Sequence, residues 1–485
     1  SVTQLFIVRA CVSNPAEVVT RFVGNEFYLN TMHYREVGFR HCDAETRKRR
    51  TIVKMISVIN MEGVAMTDVV AQFGTPVFAY SKASMLSALA AYQRGFAGRK
   101  AQICYAMKAN SSLAVLQVFA QAGCGFDIVS AGELARVLAA GGQAADVIFS
   151  GVGKTRDEMR TALQAGIACF NVESEAELDV LNQVALAVGK TAPVSIRVNP
   201  NVDPKTHPYI STGLKGNKFG IAHERTLQAY QHAASLPGLK VIGIDCHIGS
   251  QITTREPYLD ALDKVLDLVV LIEQAGIPIH HLDFGGGLGI QYQNDTPPAA
   301  DALWSALLAR LDARGFGQRH LMIEPGRSLV GNAGVCLSEV QFLKPGEQKN
   351  FCIIDAAMND LPRPAMYDAF HQIVPVTLSE AATQVYDVVG PVCEKDLAAQ
   401  KNLMLELAGA DNIWLNRTAL IFQLFYKKNT DTKLFEQVFL KCNHKKEFFI
   451  QKAIGWALRQ YSSTDPEFVI AFAKRHSLSK LANKE

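Results

Sequence analysis

The strongest constraint on the fold of this chain is an alternation. Between residues 103 and 326, eight short apolar runs (103–108, 125–129, 147–151, 168–173, 194–199, 241–250, 281–287 and 321–326) alternate with longer stretches, and in several of these apolar residues recur three and four apart. The clearest of these stretches are 133–140, 175–187, 258–275 and 301–314. Short apolar runs read as buried strands and the stretches between them as amphipathic helices. Repeated strand–helix units of this length close into a (β/α)8 TIM barrel, so the expected fold class is α/β. A doubly wound open sheet is the alternative. It requires a glycine-rich dinucleotide fingerprint after the first strand, and the run at 103–108 is followed by none.

The flanks differ in texture. Residues 61–100 read as a lead-in and 101–326 as the barrel. From 327 to 394, short β-rich runs (335–342, 350–354, 384–389) without long helices predict a β domain packed on the barrel. Residues 395–485 carry helical spacing almost throughout, in 415–426, 434–439 and 448–461, and predict a HEAT-like all-α segment. Residues 1–60 contain a strand-like run at 5–12 and a basic cluster, Arg47, Lys48, Arg49 and Arg50, that reads as a solvated patch. No chemistry is assigned to that segment.

Composition narrows the class of function. A formal charge of +3 with 20% charged residues gives no global field for nucleic acid or membrane binding. No apolar run approaches the roughly 18 residues of a spanning helix, and the N-terminus lacks the layout of a signal peptide. The 10 cysteines form no CxxC pair and read as reduced thiols of a cytoplasmic protein. No metal-ligand set is expected.

The chemistry collects at the strand ends, where barrels carry their sites. Lys108, in Tyr105-Ala106-Met107-Lys108-Ala109-Asn110, closes the first apolar run. Burial is expected to lower its pKa and make it an amine nucleophile of the kind that forms a Schiff base with a carbonyl cofactor. The remaining strand ends supply Asp127, Arg197, His247, the glycines 285–287, and Glu324 with Gly326 and Arg327. This set suits pyridoxal 5′-phosphate. His247 would stack on its ring, and Ser250 with the amides of Gly286, Gly287 and Gly326 would bind its phosphate. Glu324 would pair with the pyridinium nitrogen. Taken singly, each feature has an ordinary structural explanation; in this strand order they support one another.

Residues 61–394 resemble the diaminopimelate decarboxylases, members of the alanine-racemase-like class of pyridoxal phosphate enzymes. The matching stretches include YAMKAN (105–110), GFDIVSAGEL (125–134), FSGVGKT (149–155), FNVESEAEL (170–178), RVNP (197–200), THPYISTG (206–213), HIGSQ (247–251), DFGGGLG (283–289), EPGRSLV (324–330), MNDLPRPAMY (358–367) and GPVCE (390–394). The resemblance implies that Lys108 is the cofactor lysine, that Arg327, Arg363 and Tyr367 bind substrate, and that Cys393 is the proton donor. It implies that Glu394 recognises the distal amino-acid end and that a homodimer shares its active sites. The implied reaction is decarboxylation of meso-2,6-diaminopimelate to L-lysine and CO2. Two arginines suit a distal carboxylate, which guanidinium forks bind in bidentate fashion. Ornithine- or arginine-type decarboxylation is the alternative within the class; these enzymes typically carry Asp after that Cys. The resemblance stops at Glu394: Lys395-Asp396-Leu397 follow where the family continues with a serine and a β segment bearing a tyrosine motif. The β domain is therefore expected to be incomplete.

The stretches 411–428 and 446–469 are similar to the C-terminal half of the HEAT-like DNA alkylation-repair glycosylases, with Arg417 and Trp456 at positions that line that family's DNA cleft. The family's upstream Trp-Trp-Asp segment, which supplies the catalytic aspartate, is absent. Lys427, Lys428, Lys445 and Lys446 are left as candidates for weak, salt-sensitive DNA contact. An inactive mosaic whose tail binds DNA is the reading from a different class.

Overall fold

Each of the eight barrel strands follows a helix, and each forms where the sequence carries an apolar run. In the computed structural model they are β1 Ala101–Ala106, β2 Gly125–Ile128, β3 Val147–Phe149, β4 Cys169–Val172, β5 Ala192–Asn199, β6 Leu239–Asp245, β7 His281–Asp283 and β8 His320–Ile323. The structure describes residues 5–9, 58–203, 217–367, 369–377, 384–392, 397–424, 426 and 430–484. Every neighbouring barrel pair is parallel, β8 pairs with β1, and β4 pairs with β5, so the sheet closes on itself.

Alternation along each strand sorts side chains between two cores. On β1, Ile103 and Tyr105 face the helix layer, where Tyr105 stacks on Phe119 with centroids 4.3 Å apart. Cys104 turns the other way and meets Ile148, Cys169 and Met322 in a plug inside the barrel. Serine caps anchor the helices that follow β2 and β4. Ser130 accepts from the Glu133 amide, and Glu133 Oε2 in turn accepts from the Val129 amide at 2.7 Å. Ser174 and Glu177 repeat the arrangement, with Glu177 Oε2 accepting from the Glu173 amide at 3.0 Å. Each cap satisfies orphan amides and also fixes the loop that carries a strand-end carboxylate.

A second sheet assembles from distant pieces. Its order is Ile373–Pro375, Leu5–Arg9, Gly334–Lys344, Phe351–Ile354, Asp387–Val389, with Val77–Tyr80 also pairing with Gly334–Lys344. Part of the strand-like run at 5–12 thus lies between strands of the region read as a β domain, antiparallel to both neighbours. The cysteines at 104, 124, 169, 246, 336, 352 and 442 are buried and unpaired.

The chain divides into two units, Ser1–Pro391 and Val392–Glu485. The second is all helical: Leu397–Gly409, Ile413–Ile421, Thr432–Cys442, Phe448–Ser462, Pro466–Arg475 and Lys480–Lys484. Leu434, Phe435, Val438, Phe439 and Cys442 line one face of the third helix, in one cluster with Ile450, Ile454, Leu458 and Phe472. Buried Asn416 donates to the carbonyls of Leu407, Ala408 and Ala410, which satisfies the end of the first helix. Among the described residues, no helix is long and apolar enough to cross a membrane.

Candidate active site

Strand β1 ends at Ala106, and a single 3-10 turn, Met107–Ala109, lifts Lys108 off the barrel rim. Met107 is fully buried and anchors the turn, while the Lys108 side chain is 51% exposed. Its Nζ donates to Asp127 Oδ2 at 2.8 Å. The expectation of a lowered Lys108 pKa is overturned in this structure. Desolvation pulls it down, but attraction to Asp127 and Glu324 outweighs that loss and holds the ammonium above its ordinary range. The amine is therefore stored as an ion pair.

Beneath Lys108 the barrel mouth carries five carboxylates, Asp127, Glu173, Asp245, Asp283 and Glu324, all nearly inaccessible to solvent. One oxygen from each of Asp245, Asp283 and Glu324 lies within 4.8 Å of the other two. Burial, reinforced by neighbouring carboxylates, pushes Asp283 and Glu324 well above the usual carboxylate range and Asp245 up to about 7. The surplus negative charge is thus relieved by protons. A buried acid whose pKa rises from 3.8 to about 7 on folding keeps its proton when folded and releases it on unfolding. Its contribution to stability is full below the lower value and is lost as pH rises through the higher one. In the cofactor-free protein, Asp245→Asn should therefore flatten the fall in stability between about pH 4 and pH 7, measured as urea midpoints across that window. An unchanged slope would place the proton elsewhere.

Arg197 lies behind these groups, 7% exposed. Its Nη1 donates to Glu173 Oε1 at 3.0 Å and its Nη2 to the His247 carbonyl at 3.4 Å, while Nε stands 3.9 Å from Asp245 Oδ2. Glu173 also accepts from the amides of Gly151 and Gly220 at 2.9 and 3.0 Å. Lys154, whose side chain is fully inaccessible, ties the same loops together by donating to Gly151 O, Asn171 O and Glu177 Oε1. Arg197 is thus a buttress joining β4, β5 and the end of β6.

A cavity of about 220 Å³ opens above this layer, lined by Lys108, His247, Ser250, Glu324, Arg327 and Arg363 together with Gly287 and Gly326. Glu324 Oε1 accepts from Asn171 Nδ2 at 3.1 Å and from Ser150 Oγ at 3.4 Å. His247 Nδ1 accepts from the Gly286 amide at 3.1 Å. Burial, with the charges of Arg197 and Lys108, depresses the His247 pKa well below its ordinary value, so the ring is neutral. The Gly286 amide, expected at the phosphate, donates to the imidazole in this structure. The glycines answer chiefly to backbone packing. A Cβ on Gly286 would lie 2.1 Å from Glu324 O, and one on Gly287, at φ +98°, would lie 2.3 Å from Gly249 O.

The structure thus brings together Lys108, Asp127, Arg197, His247, Ser250, Glu324, Arg327 and Arg363. Tyr367 closes the short helix Arg363–Tyr367. Cys393 and Glu394 lie outside the described residues, as do 206–213 of the quoted motifs. Sequence reasoning missed Tyr292, which meets Arg327 through its hydroxyl and Arg363 through its ring. It follows an ordinary loop and carries no local signal. Pyridoxal 5′-phosphate fits this lining: an amine, a neutral imidazole, a buried carboxylate and a guanidinium converge on a cavity two of whose walls are glycine.

The family model described as "Pyridoxal-dependent decarboxylase, pyridoxal binding domain" matches residues 82–331. The chain is 51% identical over 372 residues to diaminopimelate decarboxylase of Pseudomonas aeruginosa, an alignment spanning 77% of this chain and 89% of that protein. The chain belongs to the diaminopimelate decarboxylase family. The Vibrio cholerae diaminopimelate decarboxylase is 52% identical, over 71% of this chain and 83% of its own length. The crystal structure of diaminopimelate decarboxylase from Helicobacter pylori complexed with L-lysine superposes with a TM-score of 0.65 at 38% identity, covering 68% of this chain and 82% of that one.

The decarboxylase family does not account for the helical unit. A second family model, "DNA alkylation repair enzyme", matches residues 359–485. There the Arg417 guanidinium lies over the Trp456 ring at 6.0 Å, and burial lowers the Arg417 pKa. Lys445 is spent internally on Ala410 O and Asn416 Oδ1, which removes it from the cations suggested for DNA contact. Lys427 and Lys428 lie outside the described residues.

Proposed function

We propose that this chain decarboxylates meso-2,6-diaminopimelate to L-lysine and CO2, with pyridoxal 5′-phosphate held by Lys108. The observation that carries the reading is the convergence of Lys108, Glu324, His247 and two arginines on one cavity. Bound there, the cofactor supplies an electron sink for the pair left behind by departing CO2. Asp127 keeps the Lys108 amine oriented by the 2.8 Å hydrogen bond, and Arg197 keeps Asp245 and Glu173 in register beneath it. Glu324, kept protonated by burial and its carboxylate neighbours, would pass that proton to the ring nitrogen and pair with it, while His247, neutral and pinned by Gly286, supplies a flat face. Ser250, with the backbone at Gly287 and Gly326, is assigned to the phosphate.

On the substrate side, Arg327 and Arg363 bind the distal carboxylate, with Tyr367 on the same short helix as Arg363 and Glu394 taking the distal ammonium. Cys393 returns a proton to the carbon that lost CO2. A homodimer with shared active sites and a cytoplasmic location complete the reading; family resemblance supports the first and the spread of buried, unpaired cysteines the second.

The test is CO2 release by the purified full-length chain. Release from meso-diaminopimelate should exceed that from ornithine by at least about a hundredfold, since ornithine leaves the arginine pair without a second carboxylate. Equal rates would move the chain to the ornithine-type alternative, and no release from either substrate would end the decarboxylase reading.

A further inference from the structure

The aromatic ring between the two arginines is unexplained by the roles given so far. Tyr292 lies in the loop that leaves the glycine run after β7, with its amide donating to Asp295 Oδ2 at 3.3 Å. The Arg327 guanidinium lies 6.0 Å from its ring centroid and the Arg363 guanidinium 5.3 Å. His371 meets the same ring edge-on, with centroids 6.0 Å apart and planes at 81°. The Tyr292 hydroxyl accepts from Arg327 Nη1, while Arg327 Nε donates to Ser250 Oγ at 3.2 Å.

Two cations gathered on one side chain repel each other unless something holds each of them. The Tyr292 ring attracts the Arg363 guanidinium, and its phenol oxygen fixes the Arg327 guanidinium by accepting from Nη1. Arg327 is therefore clamped at two of its nitrogens, Nε by Ser250 and Nη1 by Tyr292. A planar fork held in this way is preorganised for a carboxylate, because the cost of ordering a long side chain is already met in the folded protein.

We propose that Tyr292 is a positioning residue that sets Arg327 and Arg363 as a carboxylate-binding pair, so that the site prefers amino acids with a distal carboxylate to the corresponding diamines. This rests on the decarboxylase reading above and adds to it the residue that enforces selectivity.

The experiment uses the full-length, cofactor-loaded protein and follows the change in cofactor absorbance as ligand is added. L-Lysine keeps the distal amine and carboxylate of the substrate, and 1,5-diaminopentane keeps only the amines. Tyr292→Phe retains the ring but loses the hydroxyl. It should weaken L-lysine binding about tenfold, the effect of one hydrogen bond to a charged group, and leave 1,5-diaminopentane binding unchanged. Tyr292→Leu removes the ring as well and should weaken L-lysine further. With meso-diaminopimelate the loss should appear in KM rather than kcat. If Tyr292→Phe leaves L-lysine affinity unaltered, or weakens both ligands equally, the positioning role is overturned. A wild-type protein that loads cofactor but binds L-lysine no better than 1,5-diaminopentane also overturns it, leaving the cofactor site standing. A wild-type protein that takes up no cofactor overturns the decarboxylase reading, and this proposal with it.

Discussion

Lys108→Ala protein, incubated with pyridoxal 5′-phosphate and dialysed, should lack the visible absorption of held cofactor, and its turnover should fall by roughly four orders of magnitude. The magnitude follows from the position of the amine. Among the described residues, Lys108 is the one lysine lining the cavity; it stands on a turn anchored by fully buried Met107, and Asp127 aims it with a 2.8 Å hydrogen bond. No other described ammonium is positioned to take its place in the variant. Borohydride reduction followed by mass spectrometry checks the assignment directly. Wild-type protein should carry the added mass on the peptide containing Lys108, and the variant should carry none. A reduced adduct on another lysine would show that the cofactor is held elsewhere.

Glu173→Ala should destabilise the first unit by about 3–5 kcal/mol, the cost of stripping one partner from a buried ion pair. Glu173 is 4% exposed and Arg197 is 7% exposed. Removing the carboxylate leaves the guanidinium with Asp245 at 3.9 Å and the His247 carbonyl at 3.4 Å, and strips the Gly151 and Gly220 amides of their acceptor. Urea denaturation of the full-length protein measures this, with the helical unit followed separately through its tryptophans, Trp414 and Trp456. A loss below about 1 kcal/mol would mean that the pair is solvated and that Arg197 is no buttress.

The barrel was legible because its rules are local. Eight apolar runs, each followed by a turn and most by a periodic helix, specify strand order without long-range information, and Ser130 and Ser174 cap the helices where capping chemistry places them. Lys108, His247, Glu324 and Arg327 were legible for the same reason, since barrel strand ends meet at one rim. What escaped depends on three-dimensional neighbours. The Lys108 pKa could not be anticipated from the strand alone, because its sign is decided by Asp127 and Glu324, contributed by other strands. The bond from Gly286 to His247 gave no local signal, because a glycine run looks the same whether its amides face a ligand or a histidine. Tyr292 gave no signal because its importance comes from two arginines that lie 35 and 71 positions further along the chain. The second sheet was only half legible, because its strand at Leu5–Arg9 has no partner nearby in sequence.

That strand also governs the order of events during synthesis. Leu5 pairs with Glu339, and Phe6 with Ser338 on one side and Pro375 on the other, so the whole barrel must be translated before either neighbour exists. At about 5–20 residues per second, the segment waits for a time on the order of tens of seconds after leaving the ribosome. Throughout that interval its amides and carbonyls are unpaired, the condition in which a strand edge recruits other chains. The barrel, built from neighbouring segments, can form while the segment waits, and the sheet is sealed late by a piece made before the barrel. Yield on expression should accordingly be limited by the time this one strand spends alone, rather than by the stability of the barrel it finally joins.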